Sequence, residues 1–538
     1  MKIKNLFSLA TLHKFENLFA VTAIFLLALF PTLEVVARKF FHTGVTNSTV
    51  YTNHLVLIVT FVGAMITARE KRHLSLALDL RIKGPAKTVI DIANAFIAAA
   101  FTTAFALASL SFALTAFAPG KKLGIFPIRL VALVMFVGFS VMIVRFILAA
   151  PGRNKGRLLA SVGVLFGSLL AFEPVTNIFL YFFEEGPEFF EPVREFFTST
   201  YAYIALPVII LLILSAVFGQ RLFIVLGGIG YILFARTGEP LEVVPNEAYS
   251  MLIRHMIPAI PLFTVAGFIL SESKAGERLV RLFKSLFAWF PGGLAIMAIL
   301  VCTFFTTFTG ASGVTILALG ALLSYVLVKG KYKKRFSYGL LTASGSIGLL
   351  FPPSLPIIIY GVAAGVSIKS MFVGGIGPGI VMVLALSVFV AIYAGKTNVV
   401  REPFKLKEAL SAFRESIWEI LLPVVILVSF FGGLTTLVES SAIAVIYTLI
   451  AEVIIHRDIK VRDLPGVVLK GIPIIGGVLI ILALAQGLSY YIIDTEIPMK
   501  LTEWVQANIS SKYIFLLLLN IALLITGCLM DIFSAIMV

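Results

Sequence analysis

Residues 343–361 read ASGSIGLLFPPSLPIIIYG and lie within an apolar segment that is long enough to cross a membrane. Pro352 and Pro353 lack a backbone N–H, and each proline disfavours helical backbone in the residue before it. We therefore expect Phe351 and Pro352 to be extended, with one helix ending near Leu350 and another starting after the prolines. The stretch predicts a membrane helix that is broken in its middle.

The composition of the chain fits such a helix. Of the 538 residues, 59% are hydrophobic and 13% are charged, and the mean hydropathy is +1.03. This excludes a soluble globule and predicts an all-α polytopic membrane protein. The net charge of +15 comes from Lys and Arg clusters between apolar runs, a pattern typical of cytoplasmic loops. We therefore expect a cytoplasmic N-terminus and no nucleic-acid partner.

A second interruption, FTGASG at residues 308–313, divides the apolar segment 291–328, and both flanks of that segment are basic. The two arms could be two full spans or a re-entrant hairpin. The Gly/Ser break favours the hairpin, because unpaired backbone at membrane depth survives only when it is buried in protein or lines a cavity. The candidate residues at its tip are Thr309, Gly310, Ser312 and Gly313.

Breaks of this kind expose carbonyl groups at one helix end and N–H groups at the next helix start. Small and hydroxyl residues surround the break in the opening stretch, and with the two prolines they are the candidates there: Thr342, Ser344, Gly345, Ser346, Gly348, Pro352, Pro353 and Ser354. Neither break contains Asp, Glu, His or Cys, so the donors suit Na⁺ or K⁺ rather than a transition metal. The alternative is a kinked, tightly packed helix without a ligand.

The second half of the chain has weaker candidates. An apolar segment from about 513 reaches an interruption at 527–535 and enters from the face opposite to the first hairpin, as in inverted-topology repeats. The candidates there are Gly527 and Asp531, together with Glu439 at the start of an earlier span, which alternatively could be solvated at the interface. Glu34 and Arg38 are one helical turn apart, and we expect them to form a local, structural ion pair.

These motifs resemble the tripartite ATP-independent periplasmic (TRAP) transporters, with the small and large membrane subunits fused in a QM-type permease. ARKFFHTGV and FVGAMITAREKRHLSL carry the small-subunit resemblance, while FPGGLAI, FTGASGVTILALGALL and the opening stretch carry that of the large subunit. The resemblance implies an inner-membrane, elevator-type secondary transporter, not an enzyme, with no cofactor beyond Na⁺ as coupling ion. It also implies import of a small organic anion, such as a C4-dicarboxylate or sialic acid, delivered by a periplasmic substrate-binding protein.

On this resemblance we expect about 13 spans plus two re-entrant hairpins. Residues 1–150 would form a small-subunit-like four-helix scaffold, and residues 151–200 a linker transmembrane helix and periplasmic loop. Residues 201–538 would form the transport unit, with its first hairpin at 291–328, a broken helix at 336–366 and a second hairpin from about 513. Since the family's large subunit continues beyond that point, we also expect the chain to be C-terminally incomplete.

Two other functions are consistent with the sequence. The chain could be a stand-alone Na⁺-coupled anion carrier, although a self-sufficient carrier has little need of the four-span N-terminal unit. If it is truncated, it could be a non-transporting membrane scaffold. A membrane enzyme is disfavoured, because the sequence contains no metal-binding His/Glu spacing, nucleophile elbow or phosphate-binding Gly-Lys motif.

Overall fold

The computed structural model describes residues 9–76, 82–183, 190–397, 399–529 and 532–537, which are almost entirely helical. The helices of the N-terminal half are α1 (Leu9–Phe41), α2 (Ser48–Glu70), α3 (Pro85–Thr115), α4 (Ile128–Ala149), α5 (Arg153–Leu170), α6 (Phe172–Phe182), α7 (Phe190–Val217), α8 (Leu222–Thr237) and α9 (Val243–Leu252). A two-stranded hairpin, β1 (Lys122–Leu123) and β2 (Phe126–Pro127), precedes α4.

The C-terminal half contains α10 (Ala259–Glu272), α11 (Ala275–Phe287), α12 (Gly293–Thr309), α13 (Ser312–Lys329), α14 (Lys334–Ser344), α15 (Leu355–Ala363), α16 (Ile368–Gly395), α17 (Leu406–Glu415), α18 (Ile417–Phe431), α19 (Leu437–Leu449), α20 (Leu464–Asp494), α21 (Ile497–Asn508), α22 (Lys512–Leu529) and α23 (Ile532–Met537). Short 3₁₀ turns lie at Ile347–Leu350 and Val461–Asp463, and a π-helical segment at Ile450–Ile455 continues α19.

Many of these helices are long and apolar enough to span a membrane. Within the described ranges, nine pass by length and composition, or up to eleven if each of two sharply bent helix pairs counts as one span. Five further apolar helices have only 10 to 17 residues. The all-α polytopic fold class is thus confirmed, while the number of about 13 spans and the elevator motion stay predictions.

The chain forms two compact units, and each consists of segments that are distant in sequence. The first contains Met1–Ala20, Asn53–Arg254 and Ile472–Val538, and the second contains Val21–Thr52 and His255–Gly471. These units therefore cut across the divisions predicted at residues 150 and 200. Whether those divisions separate a scaffold from a transport unit stays a prediction.

In the first unit, α2 and α20 approach each other backbone to backbone. A Cβ on Gly476 would lie 2.1 Å from the carbonyl carbon of Gly63, so a larger residue at position 476 would force the helices apart. Beside this contact, the Thr67 hydroxyl donates to the Pro473 carbonyl at 3.0 Å. Small residues that let helix backbones meet are typical of packing between membrane helices, where water provides no driving force for association.

The second unit is organised around α12. This helix packs against α10, α11, α13 and α16 and against the 3₁₀ turn that follows α14. Nearly all of its side chains are buried, including Phe305 and Phe308 at 1% exposure each. A helix that is buried on all sides has little freedom to shift, so it can fix the elements that end beside it.

Candidate functional site

The predicted interruption at 308–313 is present and is very short. Helix α12 ends at Thr309, Gly310 adopts a left-handed conformation with φ of 67°, and α13 begins at Ser312. A Cβ on Gly310 would lie 2.2 Å from the side chain of Leu355, the first residue of α15. Glycine therefore permits both the turn and the close contact with the next broken element. The depth of this hairpin in a membrane stays a prediction.

Buried hydroxyl groups tie the two arms of this hairpin together. Thr306 donates to the Thr315 hydroxyl at 2.9 Å, and Thr309 and Thr315 are also hydrogen-bonded at 2.9 Å. All three side chains are buried. The break thus contains a compact set of neutral oxygens from both arms.

The second interruption lies between α14 and α15, which are bent by 49° relative to each other. Phe351 is extended, with φ of −95° and ψ of 140°, as its position before the prolines predicts. The expected helix end near Leu350 needs a correction, because the α-helix ends at Ser344 and only a 3₁₀ turn continues to Leu350. The prolines have no N–H to donate to the last carbonyls of the helix. The segment therefore ends with i→i+3 hydrogen bonds, such as the one of 3.2 Å from the Phe351 N–H to the Gly348 carbonyl.

The two interruptions touch each other within the second unit. Gly348 packs on α12 so closely that a Cβ there would lie 2.2 Å from the Thr303 carbonyl oxygen. The Thr307 hydroxyl lies 3.1 Å from the Gly348 carbonyl oxygen and 2.8 Å from the Thr303 carbonyl oxygen. The structure therefore brings the predicted hairpin tip and the predicted broken helix into one buried layer.

The hydroxyl groups of the broken helix differ in their surroundings. Ser354 is fully buried at the N-terminus of α15, and within the described part of the chain its Oγ has no hydrogen-bond partner. Ser344 is also buried, but it donates to the Leu340 carbonyl at 2.8 Å. Thr342 and Ser346 are exposed and donate to carbonyls of their own segment. Ser354 is thus the hydroxyl most in need of a ligand.

The remaining first-half candidates take several positions. Gly345, Pro352 and Pro353 are buried, whereas Ser312 is half-buried and Gly313 is exposed at the start of α13. The peptide bond between the two prolines is cis. All of these residues border the two breaks, and their role as ligands stays a prediction.

Glu439 is held by the backbone and by a distant arginine. It is the third residue of α19, where its carboxylate accepts from the Thr436 N–H at 2.7 Å and Thr436 in turn caps the Glu439 N–H. Arg38 binds both carboxylate oxygens, at 2.8 and 3.0 Å. The alternative of a simply solvated Glu439 is wrong, since its side chain is only 7% exposed.

The expected local pair between Glu34 and Arg38 is also wrong. Arg38 faces Glu439 instead, and Glu34 accepts a hydrogen bond from the Val45 N–H at 2.9 Å. The one-turn spacing made a pair feasible, but the buried carboxylate offers a bidentate partner that a helical neighbour does not. A pairing across about 400 positions leaves no signal in local spacing.

The second-half interruption differs from its prediction where the structure describes it. Gly527 lies inside α22, which continues to Leu529, because apolar residues on both sides sustain the helix. Asp531 lies outside the described residues.

A buried ion cluster in the second unit was missed in the sequence. Arg278 of α11 contacts Glu419, Glu452 and Asp458, all in the second unit. Two of these acids stand inside apolar helical segments, IWEILLPVV and LIAEVII. Carboxylates within apolar segments are candidates for function by default, and both acids could have been identified on that ground.

Together these features define a polytopic helical membrane protein whose interrupted helices meet in a buried, uncharged layer. Residues 199–538 match the family model of the tripartite ATP-independent periplasmic transporter DctM component, and residues 27–152 match that of the DctQ component. The chain belongs to this family of transporter permeases, with both membrane components fused in one polypeptide. The family is one of transporters and not of enzymes.

Individual relatives agree with this assignment. Uncharacterized protein YgiK of Salmonella typhimurium is 36% identical over 55% of this chain and 71% of its own length. The isethionate TRAP transporter permease protein DctMQ of Oleidesulfovibrio alaskensis is 31% identical over 56% of this chain and 47% of its own. The C4-dicarboxylate TRAP transporter large permease protein DctM of Pseudomonas aeruginosa is 30% identical over 53% and 66%. The chain thus aligns with between 47% and 71% of the length of these relatives.

Proposed function

We propose that the chain is the permease of a binding-protein-dependent secondary transporter that imports a small organic anion together with Na⁺ across the bacterial inner membrane. The observation that carries this proposal is the contact between the two interrupted elements, through Gly348 on α12 and Gly310 on Leu355. Paired interrupted helices are where secondary transporters place their substrate and coupling ions.

The donor set at this contact favours Na⁺. It consists of backbone carbonyls and neutral hydroxyls, among them the unpartnered Oγ of Ser354 and the hydroxyls of Thr306, Thr309 and Thr315. Among the described residues there is no group of three or more His, Cys, Asp or Glu side chains that could hold a metal ion. Neutral oxygens bind a monovalent cation, whereas a divalent or transition metal usually requires charged or nitrogen and sulfur ligands.

The same break supplies groups for an anion. The first turn of α15 starts at Leu355, directly after Ser354, and although Pro356 has no N–H, the Leu355 and Ile357 N–H groups lie at the positive end of the helix dipole. Neither interruption contains Lys or Arg, so a carboxylate or sulfonate would be held by N–H groups and hydroxyls. The substrates in the names of two relatives, a C4-dicarboxylate and isethionate, are anions of this class.

The partner of this permease would be a soluble periplasmic substrate-binding protein that delivers the anion. We expect anion uptake into proteoliposomes to depend on that protein and on an inward Na⁺ gradient. Ser354→Ala should raise the Na⁺ concentration needed for half-maximal uptake at least several-fold, because it removes a buried oxygen that has no hydrogen-bond partner among the described residues. Ser324→Ala, in the second arm of the hairpin but away from the break, is the matched control. Equal Na⁺ dependence in both variants would contradict the role of Ser354.

A further inference from the structure

A buried cluster of charged groups lies in the second unit, away from the two interruptions. Three nitrogens of Arg278 each contact a different acid: Nε lies 2.5 Å from Glu419 Oε1, Nη2 lies 2.7 Å from Glu452 Oε2, and Nη1 lies 2.6 Å from Asp458 Oδ2. The side chains of Glu419 and Glu452 have no exposed surface, and that of Arg278 is 12% exposed. Three carboxyl groups therefore surround one positive charge in a place that water hardly reaches.

Two of these acids bind to the same edge of the arginine. Nε and Nη2 form one edge of a guanidinium, an edge that commonly binds both oxygens of a single carboxylate. Here Glu419 takes one nitrogen of that edge and Glu452 takes the other. Both carboxyl groups therefore lie against the same edge of the guanidinium, and each has one oxygen without a hydrogen bond from Arg278.

Those two oxygens are unsatisfied. Glu419 Oε2 and Glu452 Oε1 are buried and, within the described ranges, neither accepts a hydrogen bond. A buried carboxylate oxygen without a donor is costly, and two adjacent carboxylates in a poorly hydrated place repel each other. One proton bound to either acid removes the repulsion and the cost of burying a second carboxylate charge.

The positive charge of Arg278 is largely matched by Asp458. Burial acts to raise the pKa of Asp458, but hydrogen bonds from Arg278 and from the Lys274 N–H outweigh it and lower that pKa. Asp458 thus stays ionised at neutral pH and neutralises the guanidinium. Glu419 and Glu452 are left with no full positive charge of their own.

Among the described residues, Arg278 is the one Lys or Arg side chain that contacts Glu419 or Glu452. His456 Nε2 lies 3.7 Å from Glu419 Oε1, which is too far for a hydrogen bond but is an ion-pair distance when the ring is protonated. The Tyr447 hydroxyl donates to the Trp418 carbonyl at 2.8 Å. At the end of α10, Glu272 is bound to Lys470 at 2.5 Å. Tyr447 and Glu272 are thus already paired, and His456 adds a positive charge only in its protonated form.

The backbone around Glu452 is unusual as well. Glu452 lies in the π-helical segment Ile450–Ile455, which continues α19 with i→i+5 instead of i→i+4 backbone hydrogen bonds. Such segments are rare and often occur at functional sites, because the extra residue turns a side chain out of the regular register.

We propose that Glu419 and Glu452 form a proton-binding site in which the pair holds a single proton on the oxygens that Arg278 does not contact, Glu419 Oε2 or Glu452 Oε1, with Arg278 holding the pair in place. Two carboxylate oxygens complete a site for a proton, whereas they would be only part of the shell that a metal cation requires. This site is separate from the proposed Na⁺ site, and its occupancy can be measured without transport. A failure of either proposal is therefore distinguishable from a failure of the other.

Infrared spectroscopy of the purified 538-residue chain tests this site. In the difference spectra of wild type minus Glu419→Gln and of wild type minus Glu452→Gln, we expect a carboxylic C=O band at neutral pH that shifts in D₂O. Each amide can still accept from Arg278, so both variants should fold. The matched control is Glu408→Gln, which removes another arginine-bound acid, one that is 47% exposed, and should leave the band unchanged.

The contrary results are equally clear. A wild-type spectrum without any carboxylic band at neutral pH would overturn the proposal, and so would difference spectra in which neither variant has lost carboxylic intensity relative to wild type. This wild-type measurement keeps the proposal testable if a variant fails to fold. Replacing choline chloride with NaCl should leave the band in place. Loss of the band in NaCl would show that Na⁺, not a proton, occupies the site and would overturn the proposal too.

Discussion

Arg38 and Glu439 form a bidentate ion pair, with Nη1 2.8 Å from Oε1 and Nη2 3.0 Å from Oε2. Arg38 lies in the DctQ-matched part of the chain and Glu439 in the DctM-matched part. The pair therefore joins the two family components inside one compact unit. Glu439 also caps the start of α19, so the arginine is linked to the backbone of that helix through its carboxylate.

The strength of this pair can be measured with a double-mutant cycle. We expect Arg38→Gln and Glu439→Gln to be coupled by about 1 kcal/mol in the free energy of unfolding, because the arginine is 49% exposed and solvent weakens the attraction. Unfolding in detergent, followed by circular dichroism, provides the four free energies. Strictly additive effects would show that the pair contributes nothing.

Gly476 is predicted to be indispensable for the packing of α2 on α20. Gly476→Ala should lower the free energy of unfolding by about 1–3 kcal/mol, since its Cβ would lie 2.1 Å from the backbone of Gly63. Gly477→Ala is the matched control, because its nearest neighbour would be a Thr67 methyl at an ordinary 3.7 Å. Equal unfolding midpoints of the two variants would contradict the close approach of these helices.

Gly348 is predicted to hold the broken helix against the hairpin. Gly348→Ala should destabilise the protein by about 1–3 kcal/mol and weaken Na⁺-dependent uptake, because the new methyl would lie 2.2 Å from the Thr303 carbonyl oxygen. A Cβ on Gly339 of α14 would meet no atom within 4 Å, so Gly339→Ala should preserve both properties. Uptake and thermal unfolding of the two variants check the prediction, and normal behaviour of Gly348→Ala would contradict it.

The contact between α11 and α17 should weaken in acid. Hydrogen bonding to Arg281 lowers the pKa of Glu408. The ionised Glu408 therefore stabilises the folded protein above the ordinary pKa of a glutamate, and this stabilisation is lost as the pH falls through the lowered pKa. The unfolding midpoint should therefore decline on acidification, and the decline should be smaller in Glu408→Gln. An identical pH profile in wild type and variant would exclude this contribution.

Much of the fold could be predicted because its determinants are local. Apolar periodicity places the helices, two adjacent prolines interrupt one of them, and FTGASG interrupts another, so both breaks were found at the correct residues. Helix ends were less accurate, as at Ser344, because the final turn depends on which carbonyls remain unpaired. The interruption predicted to begin at Gly527 was wrong for that residue, because a glycine between apolar residues does not end α22.

Contacts between distant segments could not be predicted in the same way. The partner of Arg38 lies 401 positions away, and the three partners of Arg278 come from segments at least 141 positions away. Local spacing instead suggested Glu34 as the partner of Arg38. The neutral oxygens of the two breaks were identifiable by residue type, but only the fold shows that the Ser354 hydroxyl is buried without a hydrogen-bond partner among the described residues.

Uptake by the 538-residue chain in proteoliposomes tests the central claim most directly. Labelled C4-dicarboxylates and isethionate would be offered with the cognate binding protein, under an inward Na⁺ gradient or an equal choline gradient. The proposal predicts accumulation of one of these anions only when both Na⁺ and the binding protein are present. Accumulation that is unchanged when choline replaces Na⁺ would contradict the coupling, and accumulation without the binding protein would show a stand-alone carrier.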